Sequence, residues 1–284
     1  MLTALIYTFS YTFGIILDKV NLNFKNMNGR NFTSIIFLAL AILNIPLLLF
    51  FKISPEALSF FPLLVLGLMI IGSTLSNVLI YTGLRNKDLS HLEPIRNSQS
   101  IISILLAFLI FPEERNIFVL LIGLITTLAL IFANLHRHEN KKISIIFDKF
   151  MWYVLLSMII SSFINISYKY LLNYYSSISL YGIRAIGIFV LMFLLYRPSV
   201  KNISSKQWSL FFLSALFYTL SAILKFTSIK DLGVSITVLI FNLSPAIIYL
   251  FSKFLLKEKI SKKKVLASTI IIGCILFLTF VIKG

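Results

Sequence analysis

The stretch SHLEPIRNSQSIISILLAFLIF, residues 90–111, places a cluster of polar and charged side chains directly before an apolar run. Only eleven residues, 101–111, follow the polar part, whereas a helix needs roughly 20 residues to cross a bilayer. The polar part must therefore lie inside the crossing helix. We interpret residues 90–100 as the polar half of a membrane-spanning helix.

The composition of the whole chain indicates a membrane protein. Of the 284 residues, 58% are hydrophobic and only 13% are charged, and the mean hydropathy is +0.95. A soluble domain of this length has too little interior to bury so much apolar surface. We therefore expect an all-α polytopic membrane protein whose surroundings are the lipid bilayer.

The charges lie in short gaps between the apolar runs. There are 26 Lys and Arg against 10 Asp and Glu, but the loops of a polytopic protein carry their charge in this way. A nucleic-acid-binding protein concentrates it on one polar face, so we expect no nucleic-acid partner. The single cysteine, Cys274, excludes a disulfide framework. We also expect no cleavable signal peptide, because the apolar run begins at Leu2 without a basic segment before it.

Ten apolar runs are long enough for membrane-spanning helices. They are residues 2–20, 31–51, 58–84, 89–111, 116–134, 150–172, 178–196, 207–229, 232–256 and 265–282. The longest polar gap divides them into five and five. We predict a first five-helix repeat over residues 1–135, a polar linker over 136–149 and a second five-helix repeat over 150–284.

Several local matches support a repeat. YTGLR at 81–85 resembles FTSIK at 226–230, and an Asp-Leu pair follows each of them. Lys19 and Lys169 close the first helix of each half. Because each repeat has an odd number of helices, the two halves must have opposite orientations in the membrane.

The same features resemble a known family. Pro245 lies thirteen residues before Glu258, and a segment that begins with glycine, GCIL at 273–276, follows. In the first half Glu114 fits this pattern, although Ile101 occupies the position of the proline. The chain resembles EamA-like members of the drug/metabolite transporter superfamily over essentially its whole length. The resemblance implies two five-helix repeats and a transport function but names no substrate.

Polar side chains recur on one side of several helices, and this side must face protein or water, because polar groups in lipid are costly. On the fourth helix Arg96, Asn97 and Ser100 lie at about 300°, 40° and 340° from Glu93. We predict a central hydrated cavity lined by both repeats. Its candidate substrate-binding residues are Tyr7, Tyr11, Asn77, Tyr81, Glu93, Arg96, Asn97, Ser100, Arg184, Tyr218, Lys225, Asn242 and Tyr249.

Structural alternatives remain for these residues. Tyr, Ser and Asn on a helix stripe also serve as hydrogen-bonding contacts between helices. Glu93 and Arg96, spaced i, i+3, can neutralise each other. Arg184 and Lys225 lie near predicted helix ends, where long cationic side chains reach the membrane interface.

These observations favour a secondary transporter that works by alternating access and carries a small organic metabolite, amino-acid-like or anionic. No nucleotide-binding loop is present, and Glu93 is the candidate for proton coupling. We expect no enzymatic activity, no cofactor and no metal site, and a monomer or homodimer. The alternatives are a translocase for a lipid or lipid-linked carrier, an intramembrane lipid-modifying transferase built on His91, and a binding protein without transport.

The distribution of Lys and Arg among the gaps also predicts an orientation. Most of them lie in the gaps after the first, third, fifth, seventh and ninth helices, including KEKISKKK at 257–264. By the positive-inside rule, both termini are then non-cytoplasmic. We expect the protein in the plasma (inner) membrane.

Overall fold

The fold is built almost entirely from helices. The computed structural model describes residues 1–133, 136–137, 143–144, 149–198, 200, 203–251 and 261–283. Its helices are α1 Leu2–Leu22, α2 Gly29–Asn44, α3 Phe60–Asn86, α4 Leu89–Asn97, α5 Gln99–Ile110, α6 Ile117–Ala133, α7 Lys149–Leu171, α8 Ser177–Tyr196, α9 Ser205–Phe241, α10 Ser244–Phe251 and α11 Lys262–Lys283. Short 3₁₀ turns span Pro46–Phe50, Pro55–Leu58 and Pro112–Glu114, and a two-residue strand β1, His136–Arg137, pairs antiparallel with β2, Ile143–Ser144.

Four helical stretches among the described residues are long and apolar enough to cross a membrane: α3, α7, α8 and the run Ser205–Phe251 that includes α9 and α10. Large apolar side chains point away from the protein on these helices, with Phe60 80%, Leu68 61% and Leu194 67% exposed. So extensive an apolar surface requires lipid around it. The prediction of an all-α integral membrane protein is confirmed.

The helices of the two halves pack against each other. Helix α1 lies along α9, α3 along α7, α2 against α8, and α6 against α11. The Phe32 ring contacts Tyr81 and Phe211, with ring centroids 4.6 and 5.0 Å away, and so joins α2, α3 and α9. The middle of the molecule is therefore formed by helices from both halves of the chain.

The polar stretch 90–100 is helical but interrupted. Helix α4 ends at Asn97 and α5 begins at Gln99, so the predicted single helix 89–111 is divided at Ser98. Pro94 has no backbone N–H to donate to the preceding turn. The Ser98 hydroxyl donates to the Pro94 carbonyl at 3.1 Å, and a serine that bonds its own helix backbone in this way bends the helix.

Two further boundaries differ from the apolar runs. Helix α2 ends at Asn44, not near residue 51, and a 3₁₀ turn follows, because Pro46 cannot donate the next helical hydrogen bond. The predicted helix 207–229 and the first part of the predicted helix 232–256 form one helix, α9, with a kink at Gly233, where φ is 83° and ψ is 172°. The predicted helix 232–256 is interrupted a second time, between Phe241 at the end of α9 and Ser244 at the start of α10.

Glu114, from the turn after α5, stabilises the kink in α9. Its Oε1 accepts the backbone N–H of Val234 at 2.8 Å, and its Oε2 accepts the N–H and hydroxyl of Ser235 at 2.8 and 2.6 Å. These donors begin the helical segment after the kink, and the first N–H groups of a helical segment need partners from outside it. A carboxylate at this position also interacts favourably with the helix dipole.

Lys169, at the end of α7, completes this junction. Its ammonium group lies 2.6 Å from Glu114 and 2.9 Å from Glu113. The hydrogen bond from Lys169 lowers the pKa of the exposed Glu113 carboxyl. Glu114 thus acts at a helix junction. Glu258, which fits the same sequence pattern in the second half, lies outside the described residues.

Candidate functional site

A central cavity of about 160 Å³ lies among α1 to α5, α7, α8 and α9. One water occupies roughly 10–15 Å³ in this measure, so the cavity has room for several waters or a small organic molecule. Its wall is rich in hydroxyl and amide groups, from Ser73, Ser76, Asn77, Gln99, Ser157, Ser161, Asn165 and Ser221. A polar wall of this kind is suited to water and to a polar ligand.

The structure brings part of the predicted site to this cavity. The predicted residues that line it are Tyr7, Tyr11, Asn77, Tyr81, Arg96, Arg184, Tyr218 and Lys225. The predicted residues that do not line it are Glu93, Asn97, Ser100, Asn242 and Tyr249. The second set is buried among the helices behind the wall.

Arg96 and Glu93 form an ion pair. Glu93 is fully buried, and the Arg96 guanidinium also lies over the Tyr11 ring, 4.7 Å from its centroid. A buried carboxylate and guanidinium in direct contact compensate each other's charge. Arg96 therefore reaches the cavity with its charge balanced by Glu93.

Arg184 and Lys225 are placed differently. The Arg184 Nε donates to the Ser73 hydroxyl at 3.1 Å, and the Lys225 Nζ donates to the Asn165 side-chain oxygen at 2.8 Å. Both cations lie near the Tyr168 ring, at 5.7 and 4.9 Å from its centroid. Within the described residues neither of them forms an ion pair with a carboxylate.

Two of the predicted residues behind the wall, Ser100 and Asn242, connect the break between α4 and α5 to the break between α9 and α10. The Asn242 amide donates to the Ser100 hydroxyl at 2.9 Å and to the Thr126 hydroxyl at 3.1 Å. Asn242 follows α9 and Ser100 lies in the first turn of α5, so this bond joins the interruption in the first half to that in the second. The positions of Asn242 and Ser100 along their helices predict that both side chains face protein. Such positions do not distinguish a cavity wall from a contact between helices.

Asp18 belongs to the site region although it is not among the predicted residues. It is fully buried in α1, and its Oδ2 accepts hydrogen bonds from the hydroxyls of Tyr81 at 2.8 Å and Tyr218 at 2.6 Å. Both tyrosines line the cavity. Asp18 shares a helix face with Tyr7, Tyr11 and Gly14 in the sequence, and this stripe is the signal that identifies it.

Comparison with known proteins agrees with this architecture. The sequence profile of the EamA-like transporter family matches residues 149–280. Over these residues the chain is similar to that family, which is part of the drug/metabolite transporter superfamily. The resemblance seen in the sequence is confirmed over these residues, and it indicates a membrane transporter of the drug/metabolite type.

A solved crystal structure has a similar fold. It aligns with a TM-score of 0.72 over 99% of this chain and 96% of its own length, at 13% sequence identity. At this identity the likeness concerns the fold alone. No curated protein sequence matches the chain.

Proposed function

We propose that the protein is a secondary transporter that binds a small organic anion in the central cavity and carries it across the membrane by alternating access. The observation that supports this most strongly is the pair Arg184 and Lys225, which face the cavity without a carboxylate partner among the described residues. A cation removed from bulk water is costly unless it is paired. A carboxylate or phosphate group on the substrate would provide that partner.

The aromatic wall suits the organic part of such a substrate. Tyr7 stacks on Phe241 with ring centroids 5.0 Å apart, and Tyr11 meets the same ring edge-on at 4.9 Å. All three line the cavity together with Tyr168 and Tyr181. Such pockets combine apolar walls with a few polar groups that fix the orientation of the ligand.

Alternating access follows from the repeat that we propose, with five helices over 1–135 and five inverted helices over 150–284. If the halves are equivalent, α1 corresponds to α7, and α3 corresponds to the first part of α9. The contact of α1 with α9 is then equivalent to that of α7 with α3. Such symmetry supports rocking of the halves around a central site.

The remaining assignments are proposals of the same kind. We place the protein in the plasma membrane with both termini non-cytoplasmic, as a monomer or homodimer that uses no cofactor. Glu93 stays the sequence-based prediction for proton coupling: its protonation would release Arg96 to bind the substrate. The transferase alternative depends on His91, whose side chain lies outside the described residues.

Ligand binding tests the anion site directly. Phenylacetate and phenylacetamide have the same shape and differ in charge, so we expect only phenylacetate to raise the thermal stability of the purified protein. Lys225→Gln and Arg184→Gln should each weaken this binding by roughly 1.5–3 kcal/mol, the contribution of a hydrogen bond to a charged group. The matched control is Lys206→Gln, an exposed lysine on α9.

Three results would contradict the proposed site: equal stabilisation by the neutral amide, stabilisation by neither ligand, or full phenylacetate binding by both Lys225→Gln and Arg184→Gln. Weaker binding of Lys206→Gln would also count against it, because the effect would then reflect the net charge of the protein and not the cavity.

A further inference from the structure

We propose that Asp18 is a proton-binding site that controls the cavity at the end where α1 terminates. In its ionised form it closes this end through Tyr81 and Tyr218, and proton binding releases them. This inference rests on the transport function proposed above, to which it adds a position for proton coupling that differs from Glu93.

The Asp18 carboxyl joins three helices. It lies in α1, and the two hydroxyl groups on its Oδ2 come from Tyr81 in α3 and Tyr218 in α9. Hydrogen bonds to an ionised acceptor are about twice as strong as those between neutral groups. The ionised carboxylate therefore connects the three helices firmly, and a proton on it weakens both connections.

No cation compensates the charge of Asp18 within the described residues. Its Oδ1 is buried without a hydrogen-bond partner, and it forms no ion pair. This isolation distinguishes it from Glu93, which pairs with Arg96. Burial without a cation disfavours the charge, while two hydroxyl donors stabilise it, so the carboxyl can exist with or without its proton.

Among the described residues, three tyrosines and two cations lie around Asp18. Tyr81 and Tyr218 face it from α3 and α9, and the Tyr11 ring on α1 lies 5.5 Å from that of Tyr218. The neighbouring Lys19 donates to the carbonyls of Leu84 and Lys87. Arg85 on α3 donates to the Leu22 carbonyl.

The geometry places these tyrosines between Asp18 and the cavity. Both line the cavity, whereas Asp18 does not. Tyr218 packs directly on the backbone of α1, since a Cβ added to Gly14 would lie 2.9 Å from its ring. Beyond Asp18, Asn21 on the same helix is fully buried and donates to the Gln207 carbonyl at 3.2 Å, which joins α1 to α9.

The opposite half has no equivalent carboxyl. Asp18 precedes Lys19 as Tyr168 precedes Lys169, so Tyr168 holds the matching position in the proposed repeat. Around Tyr168 lie the cations Arg184 and Lys225. The protonatable carboxyl and the two cations, which form no ion pair among the described residues, are therefore associated with different halves of the chain. This arrangement allows a proton and an anion to act at different places around one cavity.

Thiol labelling without any substrate tests this proposal. Ile15 is 1% exposed, lines the cavity and lies three residues before Asp18 on α1, so Ile15→Cys in a Cys274→Ala background reports opening at this end. The parent protein is compared with Asp18→Asn, which mimics the protonated carboxyl, and with Glu93→Gln. A water-soluble maleimide is the probe, and the ratio of variant to parent rates at one pH cancels the reactivity of the thiol itself.

We expect Asp18→Asn to label about tenfold faster than the parent at about pH 8.5, and the ratio to fall toward one when the pH is lowered to about 5.5, as the parent carboxyl takes up its proton. The Glu93→Gln ratio should stay near one at both pH values. If Asp18→Asn does not fold, the double variant Tyr81→Phe/Tyr218→Phe takes its place and should label rapidly at both.

A ratio of one for Asp18→Asn at both pH values overturns the proposal, and so does a pH-dependent ratio that belongs to Glu93→Gln instead. Labelling of the variant Tyr81→Phe/Tyr218→Phe that is as slow as that of the parent at both pH values also overturns the proposal. These outcomes leave the anion-binding result with phenylacetate untouched. Conversely, a pH-dependent Asp18 ratio in a protein that binds no phenylacetate would contradict the transport proposal alone.

Discussion

Gly233 has a backbone conformation that residues with a side chain rarely adopt. With φ of 83° and ψ of 172°, it lies in a region that is essentially restricted to glycine. A Cβ here would also come within 2.9 Å of the Glu114 Oε1. The same residue thus permits both the kink in α9 and the close approach of the carboxylate that stabilises it.

Gly233→Ala should destabilise the protein by roughly 1–3 kcal/mol, the usual cost of a strained backbone conformation. The fraction of protein that stays monodisperse after heating in detergent measures the effect. Gly67→Ala is the control, since it is also in a helix but a Cβ there meets nothing within 4 Å. Equal heat resistance of the two variants would contradict this role of Gly233.

Helix α9 depends on a residue from the other half of the chain. Glu114 accepts the first two backbone N–H groups of the segment that follows the kink. Glu114 in turn contacts Lys169 of α7. This junction therefore links the turn after α5 to both α7 and α9, which contain the sixth predicted helix and the first part of the ninth.

Glu114→Gln should lower thermal stability by roughly 1.5–3 kcal/mol, because an amide provides one acceptor oxygen where the carboxylate provides two charged ones. The adjacent Glu113→Gln is the matched control: the Glu113 side chain is 62% exposed, and an exposed ion pair contributes at most about 1 kcal/mol. Detergent melting curves compare the two. A larger loss for Glu113→Gln would show that the junction has been misassigned.

For the molecule as a whole, composition and apolar run length predict the membrane-embedded helical fold. These signals are strong because lipid requires long apolar helices. The breaks are less predictable: Pro94 and Pro46 mark two of them, but the kink at Gly233 depends on Glu114, which is distant in the sequence. No local pattern contains that contact.

The cavity could be predicted only in part for a related reason. Periodicity identifies the protein-facing side of a helix, and it places Arg184 and Lys225 as cavity candidates. It does not distinguish a cavity wall from a helix interface, so Asn242 and Ser100 resemble lining residues although they bond each other. Asp18 lies near the end of its helix, where a charge is usually exposed, and its burial depends on tyrosines from α3 and α9.

Currents from proteoliposomes on a solid-supported membrane test the central claim most directly, because they report substrate-driven charge movement. The probes are phenylacetate, succinate and phenyl phosphate, with phenylacetamide as the neutral control. We predict a saturable current with at least one of the anions in the parent protein and in Lys206→Gln, and its loss in Arg184→Gln and Lys225→Gln. No current with any anion, or one that survives both cavity substitutions, would contradict anion transport through this cavity.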